Sequence, residues 1–193
     1  MKVKFLGAAG NVTGSKFLLE SDKSRVLIDC GLYQERDLRI RDWEKFPVEP
    51  SSINSVVLTH AHLDHCGYLP KLVKEGFNGR IFCTPPTAEI VQIALLDAAK
   101  LQEEDIENKR RRHEREKRKG ASPEIPLYNI EDAEKVFPLF ETVLYKTKTQ
   151  ITPDIKATFY DAGHILGSAM IELTFNNNGI EKKAIFSGEK AVK

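Results

Sequence analysis

Ser55-Val56-Val57-Leu58-Thr59-His60-Ala61-His62-Leu63-Asp64-His65 decides how the rest of the chain is read. A short, β-branched apolar run ends abruptly in polar residues, which predicts a buried strand with chemistry at its C-terminal end. His60 and His62 are two apart, so on extended backbone their side chains point the same way. Asp64 and His65 follow where the chain should turn, before a helical spacing of Tyr68, Leu69, Leu72 and Val73 that stops at Gly76. Neutral imidazoles and carboxylates are the donors for zinc, manganese or iron at an open, water-bearing site. Four such groups on so short a loop cannot all reach one ion without strain, which favours two neighbouring ions. The plainer alternative is a solvated, histidine-rich turn, but three of the chain's five histidines fall here at alternating spacing.

Outward from this stretch, the totals set bounds. A chain of 193 residues supports one sizeable core, read here as one domain over residues 1–193. Hydrophobic residues at 41% and charged ones at 30% are those of an ordinary soluble globule. Cys30, Cys66 and Cys83 are odd in number and show no C-x-x-C spacing, which implies a reducing compartment without a disulfide framework. Cys66 beside His65 is either a soft ligand or a small packed residue. The N-terminus breaks into glycines before a signal-type apolar run develops, and no stretch approaches a membrane span. The expected location is the cytoplasm.

Before the histidine stretch, residues 3–6, 16–20 and 25–28 read as short strands. Between the first two lies Gly7-Ala8-Ala9-Gly10-Asn11-Val12-Thr13-Gly14-Ser15, with no helical pattern after it, so a dinucleotide fingerprint is discounted. The glycines would let backbone pass close to a site lined by Asn11, Thr13 and Ser15. Asp29 ends an apolar strand and precedes Gly31; it either orients a ligand histidine or caps a turn. Residues 32–50 are polar and irregular, a surface excursion in which Trp43 is expected to anchor into the core.

After it, residues 80–83 read as a strand, and Thr84-Pro85-Pro86 opens a helix with an apolar face through Ile90, Val91, Ala94, Leu95, Ala98 and Leu101. From Lys100 that face gives way to charge. The block from Lys109 to Lys119 holds eight Lys/Arg against Glu114 and Glu116, six net positive charges in a chain of net +1, so the remainder carries about −5. It is either a patch for nucleic-acid phosphates or a solvated helix extension with local pairing, and His113 is a bystander. Residues 132–140 suggest an amphipathic helix. Residues 143–145, 155–160, 169–175 and 183–186 read as strands of a second sheet, with Asn176-Asn177-Asn178-Gly179 as a hairpin signal. Two further clusters end such strands: Asp161-Ala162-Gly163-His164-Ile165-Leu166-Gly167-Ser168, where His164 sits on a tight turn, and Ser187-Gly188-Glu189.

These residues resemble a family. His60-x-His62-x-Asp64-His65 is similar to the signature of the metallo-β-lactamase superfamily. The glycine-rich first loop, Asp29-Cys30-Gly31 and the Gly163-His164 element resemble its β-CASP branch of RNA-processing nucleases, along nearly the whole chain. The resemblance implies an α/β fold, an αββα sandwich, with two zinc ions (manganese the alternative). His60, His62 and His164 would hold one ion and Asp64 and His65 the other, with Asp29 standing behind them. The implied activity is a metal-dependent ribonuclease that cleaves phosphodiester bonds with hydroxide activated by the ion pair, Asp64 and Asp29 serving the catalysis and RNA the partner.

Two departures matter. Glu189 stands where the family has a bridging Asp, and one more methylene moves a carboxylate by about 1.5 Å against a tolerance of roughly 0.5 Å. The chain also ends at Lys193, before the β-CASP insertion and the second half that the family pattern carries, so a C-terminal truncation is expected. Association with a copy of itself or with the missing portion follows as an expectation. An inactive RNA-binding or assembly module, and a hydrolase of thioesters or lactams, are the competing functions.

Overall fold

A computed structural model describes residues 1–116, 125–177 and 180–189, and in it the histidine stretch leaves the middle of a six-stranded sheet. Its strands β1 (Lys2–Phe5), β2 (Phe17–Glu20), β3 (Arg25–Ile28), β4 (Ser55–Val57), β5 (Arg80–Cys83) and β6 (Phe140–Thr142) lie in chain order. The β1–β2 and β2–β3 pairs are antiparallel and the rest parallel. The parallel part follows from helical crossovers: α1 (Leu63–Cys66) and α2 (Leu69–Lys74) lie between β4 and β5, and α3 (Pro85–Glu116) and α4 (Ile130–Glu134) between β5 and β6. A second, antiparallel sheet has the order β10 (Ile180–Phe186), β9 (Ala169–Asn177), β8 (Ile155–Asp161), β7 (Thr149–Thr152).

Period-two alternation sorts the first sheet's residues between two cores. Leu18, Leu27, Val56 and Ile81 pack with Leu69, Leu72, Val91 and Leu95 under the helices. Leu19, Val26, Ile28, Val57 and Phe82 face the other way and meet Ile155, Phe159, Ile171 and Leu173 of the second sheet. Each such side chain contributes about 1.5–3 kcal/mol relative to exposure. Helices, sheet and sheet therefore stack as three layers of the expected sandwich. Among the described residues no helix covers the outer face of the second sheet.

Four local readings change. Trp43 is 37% exposed at the end of a 3₁₀ turn, and Phe46, buried against Tyr68, anchors that excursion instead. The helix expected over 132–140 is the short α4, closed by an Asn129–Asp132 capping box and tied to α2 by Lys74 on Asp132 at 2.7 Å. Pro138 lies in the 3₁₀ turn that follows, and Phe140 starts β6 of the first sheet where a strand of the second was expected over 143–145. β7 was hidden by its polar composition, Thr149-Gln150-Ile151-Thr152, of an edge strand with only Ile151 and Thr152 buried. The solvated helix extension with local pairing is as expected: α3 continues past Lys100 to Glu116, with Ile106 still buried and ion pairs one turn apart, such as Arg112–Glu116 at 3.5 Å, along the rest. The Lys109 to Lys119 block lies on this tail up to Glu116; residues 117–119, like 178–179 of the hairpin signal, lie outside the described residues.

Candidate metal centre

Strand ends deliver the donors. Parallel pairing of Ile28 with Val57 sets Asp29 beside the residues that leave β4, and the Asp29 amide donates to Val57 O at 3.0 Å. His60 and His62 follow β4 directly, and the single turn of α1, which begins after His62, presents Asp64 and His65. His164 rides on the loop between β8 and β9, and Glu189 follows the end of β10. The two sheets are joined at this edge by the Ala169 amide, which donates to Thr59 O at 2.8 Å.

Two donor groups result. Within the first, His60 Nε2 lies 3.1 Å from His62 Nδ1, which lies 3.3 Å from His164 Nε2. Glu189 Oε2 is 2.9 Å from His164 Nε2. Asp64 and His65 form the second with Glu189, and within each group the ligand atoms lie within 4.8 Å of one another. Glu189 belongs to both. Its extra methylene therefore does not hold the carboxylate away from the histidines. Three imidazole nitrogens converging with the Glu189 carboxylate, beside Asp64 and His65 that share it, are a donor set that zinc or manganese would fit.

Electrostatics prepare the imidazoles. Burial, helped by the neighbouring His65, His62 and His164, pushes the His60 pKa down to about 3, so the ring stays neutral and its lone pair free. Burial also works to lower His65, but the Asp29 carboxylate outweighs it and the net direction is upward. His65 Nδ1 donates to Asp29 Oδ2 at 2.7 Å, which in the neutral ring leaves Nε2 for a ligand. Asp29, 1% exposed, also accepts from the Thr59 amide at 2.8 Å, from Thr59 Oγ1 at 2.9 Å and from Ser15 Oγ at 3.3 Å. Asp29 thus lies behind His65, and the turn-capping alternative accounts for only part of its contacts.

The backbone around these donors is sewn tightly. Asp64 O accepts from the Ser15 amide at 2.8 Å, and Cys30 N donates to His65 O at 2.6 Å. Gly31 passes so close that a Cβ there would lie 1.6 Å from Asp64 O. The His164 loop is held by Ser168, whose Oγ accepts from the His164 and Ile165 amides at 3.1 and 3.2 Å. Thr84 and Thr87, at the start of α3, both donate to Gly167 O, at 2.7 and 2.9 Å.

The structure brings together every predicted ligand: His60, His62, Asp64, His65, His164 and Glu189. Of the three first-loop residues expected to line the site, only Ser15 reaches it. Thr13 instead donates through its amide to Glu35 at 3.0 Å, and Asn11 donates to Thr13 O at 2.6 Å, because the glycines fold that loop onto its own neighbours. Cys66 is buried and its thiol donates to Ala61 O at 3.4 Å, a packed residue outside both donor groups. Thr59, Ser168, Thr84 and Thr87 went unassigned in sequence. Thr59 directly precedes His60, and Ser168 closes a Gly-flanked turn, which are the signals that could have found them.

Residues 18–182 match the family described as metallo-beta-lactamase superfamily domain. The chain is 38% identical over 174 residues to the transcription termination factor FttA of Methanosarcina mazei, covering 88% of this chain and 24% of that protein. It is 32% identical over 189 residues to a ribonuclease of Thermus thermophilus, covering 98% of this chain and 38% of the relative. The chain thus spans well under half the length of these relatives. Its fold matches the crystal structure of a subclass B3 metallo-beta-lactamase of Bradyrhizobium japonicum with a TM-score of 0.53 at 16% identity, covering 95% of this chain and 58% of that one. These relatives accord with the β-CASP ribonuclease resemblance.

Proposed function

The chain belongs to the metallo-β-lactamase superfamily, and from that premise we propose that it forms the metal-binding portion of a hydrolase that cuts RNA phosphodiester bonds. The observation that carries this reading is the sharing of Glu189 between two donor groups that come from the ends of three strands, β4, β8 and β10. In this reading His60, His62 and His164 would hold one ion and Asp64 and His65 the other, with Glu189 available to either. Zinc is the favoured metal, with manganese the alternative. Metal ions bound there would supply Lewis-acid chemistry and positive charge against the negative charge that develops during phosphodiester hydrolysis. The chain's own part is to place the donors. Asp29 keeps the His65 proton on Nδ1, Thr59 and Ser15 hold Asp29, and Ser168 holds the His164 turn. Asp64 contributes as a ligand beside His65, at 3.7 Å between Oδ2 and Nε2.

RNA as the substrate class is supported by relatives named as a ribonuclease and as termination factors. The basic tail of α3 is suited to phosphates, through screened and therefore salt-sensitive attraction. No described helix is long and apolar enough to cross a membrane, and the cytoplasm is the compartment proposed. The test is metal content and cleavage together. The purified chain should bind two equivalents of zinc and cut a single-stranded RNA, and both His62→Ala and chelator should abolish cleavage at unchanged fold. RNA binding without cleavage at full zinc or manganese loading would overturn the hydrolase reading in favour of an RNA-binding module.

A further inference from the structure

On the helix side of the strand ends, a cavity of about 330 Å³ opens between the start of β2 and the excursion after β3, lined among others by Lys16, Tyr33, Arg41, Asp42, Lys45 and Tyr68. Lys16 sits at its heart. The residue is only 3% exposed, yet its ammonium makes no hydrogen bond to a described residue, and its carboxylate partner, Asp42 Oδ1, is 4.0 Å away. Its charge is offset by the faces of Tyr33 and Tyr68, whose ring centroids lie 4.6 and 4.9 Å from Nζ. Those contacts stabilise the charge without neutralising it and accept no directed N–H bond, so the ammonium's donors are left to whatever enters the cavity.

The neighbouring charges are arranged to leave it so. The Asp42 carboxylate accepts from the Tyr33 amide at 3.1 Å, and burial pushes its pKa up to about 6. Lys71, behind the wall, donates to Asp42 O at 2.6 Å and pairs with Glu75 at 3.6 Å, so it does not neutralise the Asp42 carboxylate directly. Counting Glu44 as well, the wall carries three cations against two carboxylates. A tetrahedral oxyanion matches an ammonium with several free donors. The volume is at the lower end of small-ligand sites, about 300–1,000 Å³, so more than a bare anion can be accommodated, and the tyrosines and Phe46 give the remainder an aromatic lining.

We propose that this cavity binds a phosphoryl group through Lys16, either as the free anion or as the phosphate of a mononucleotide. The site is separate from the donor groups of the metal centre and does not depend on that reading.

Isothermal titration calorimetry on the full chain in excess chelator tests it, with inorganic phosphate and then adenosine monophosphate as titrants. Phosphate should bind, and Lys16→Met, which removes the charge at nearly constant bulk, should weaken it at least about tenfold. Asp42→Asn, which removes the opposing carboxylate, should bind at least as tightly as the parent and reads the same charge should Lys16→Met not fold. His62→Ala should bind normally, since chelator has already removed metal. Tighter binding of the nucleotide than of phosphate assigns the site to a nucleotide; equal binding assigns it to the free anion. No heat from either titrant, parental affinity in a natively melting Lys16→Met, or loss of binding in His62→Ala would each overturn the proposal.

Discussion

Replacing Asp29 by Asn isolates the group behind the ligands from the ligands themselves. Asp29 has φ +57°, a region that Asn tolerates well, so the backbone need not move. The side chain keeps its shape but exchanges a carboxylate that accepts from Ser15, Thr59 and His65 for one oxygen and one NH₂. Thr59 claims the oxygen through both its amide and hydroxyl, so the NH₂ faces His65 Nδ1. An NH₂ there needs an acceptor, which drives the imidazole proton to Nε2, the atom otherwise free for metal. Loss of a group that orients a ligand imidazole typically costs 10–100-fold in affinity, about 1.4–2.7 kcal/mol. The metal-free fold should lose about 1.5–3 kcal/mol as a charge-assisted buried hydrogen bond disappears. A competition titration against a chromophoric chelator should show one ion bound as before and the other weakened by that factor, with a lowered midpoint in a parallel thermal melt. If Asp29→Asn melts lower but binds both ions with parental affinity, while His65→Ala loses one, the orienting role is refuted.

Three further outcomes follow from particular contacts. Gly31→Ala should cost about 3 kcal/mol or more, or prevent folding, because the methyl would meet Asp64 O at 1.6 Å; a denaturant melt close to the parent's would contradict this. Ser168→Ala leaves the His164 and Ile165 amides without their shared acceptor, at about 1–2 kcal/mol, and should weaken the ion on the His60 side more than the one on the His65 side. For pH dependence, burial raises Asp42 to about 6 in the folded chain, against about 3.9 when unfolded. The folded state therefore holds this proton more tightly, and its contribution, present below pH ~4, is lost as pH rises to ~6, on the order of 2–3 kcal/mol. Asp42→Asn should remove that component from the pH–stability curve; coincident curves for the two proteins would rule it out.

The sequence alone determined the positions at which donors occur. A β-branched run that ends in polar residues must stop at a sheet edge, and His60, His62, Asp64 and His65 are close because they are neighbours in chain. Asp29 was legible because it closes an apolar strand, and His164 and Glu189 because each follows a strand through a glycine-containing turn. Local pattern was a poor guide at Trp43, Phe140 and β7, where burial is decided by which layer lies opposite and not by the residue's own character. Tertiary structure alone decided the meeting of His164 with His62, 102 positions apart, and the reach of Glu189 into both donor groups. It alone also left the Lys16 ammonium buried with its donors unused, for a lone lysine beside a strand reads as a solvated one. Side-chain direction follows from backbone period, but convergence depends on two sheets packing through Val57, Phe82, Phe159 and Ile171 so that their ends share one edge.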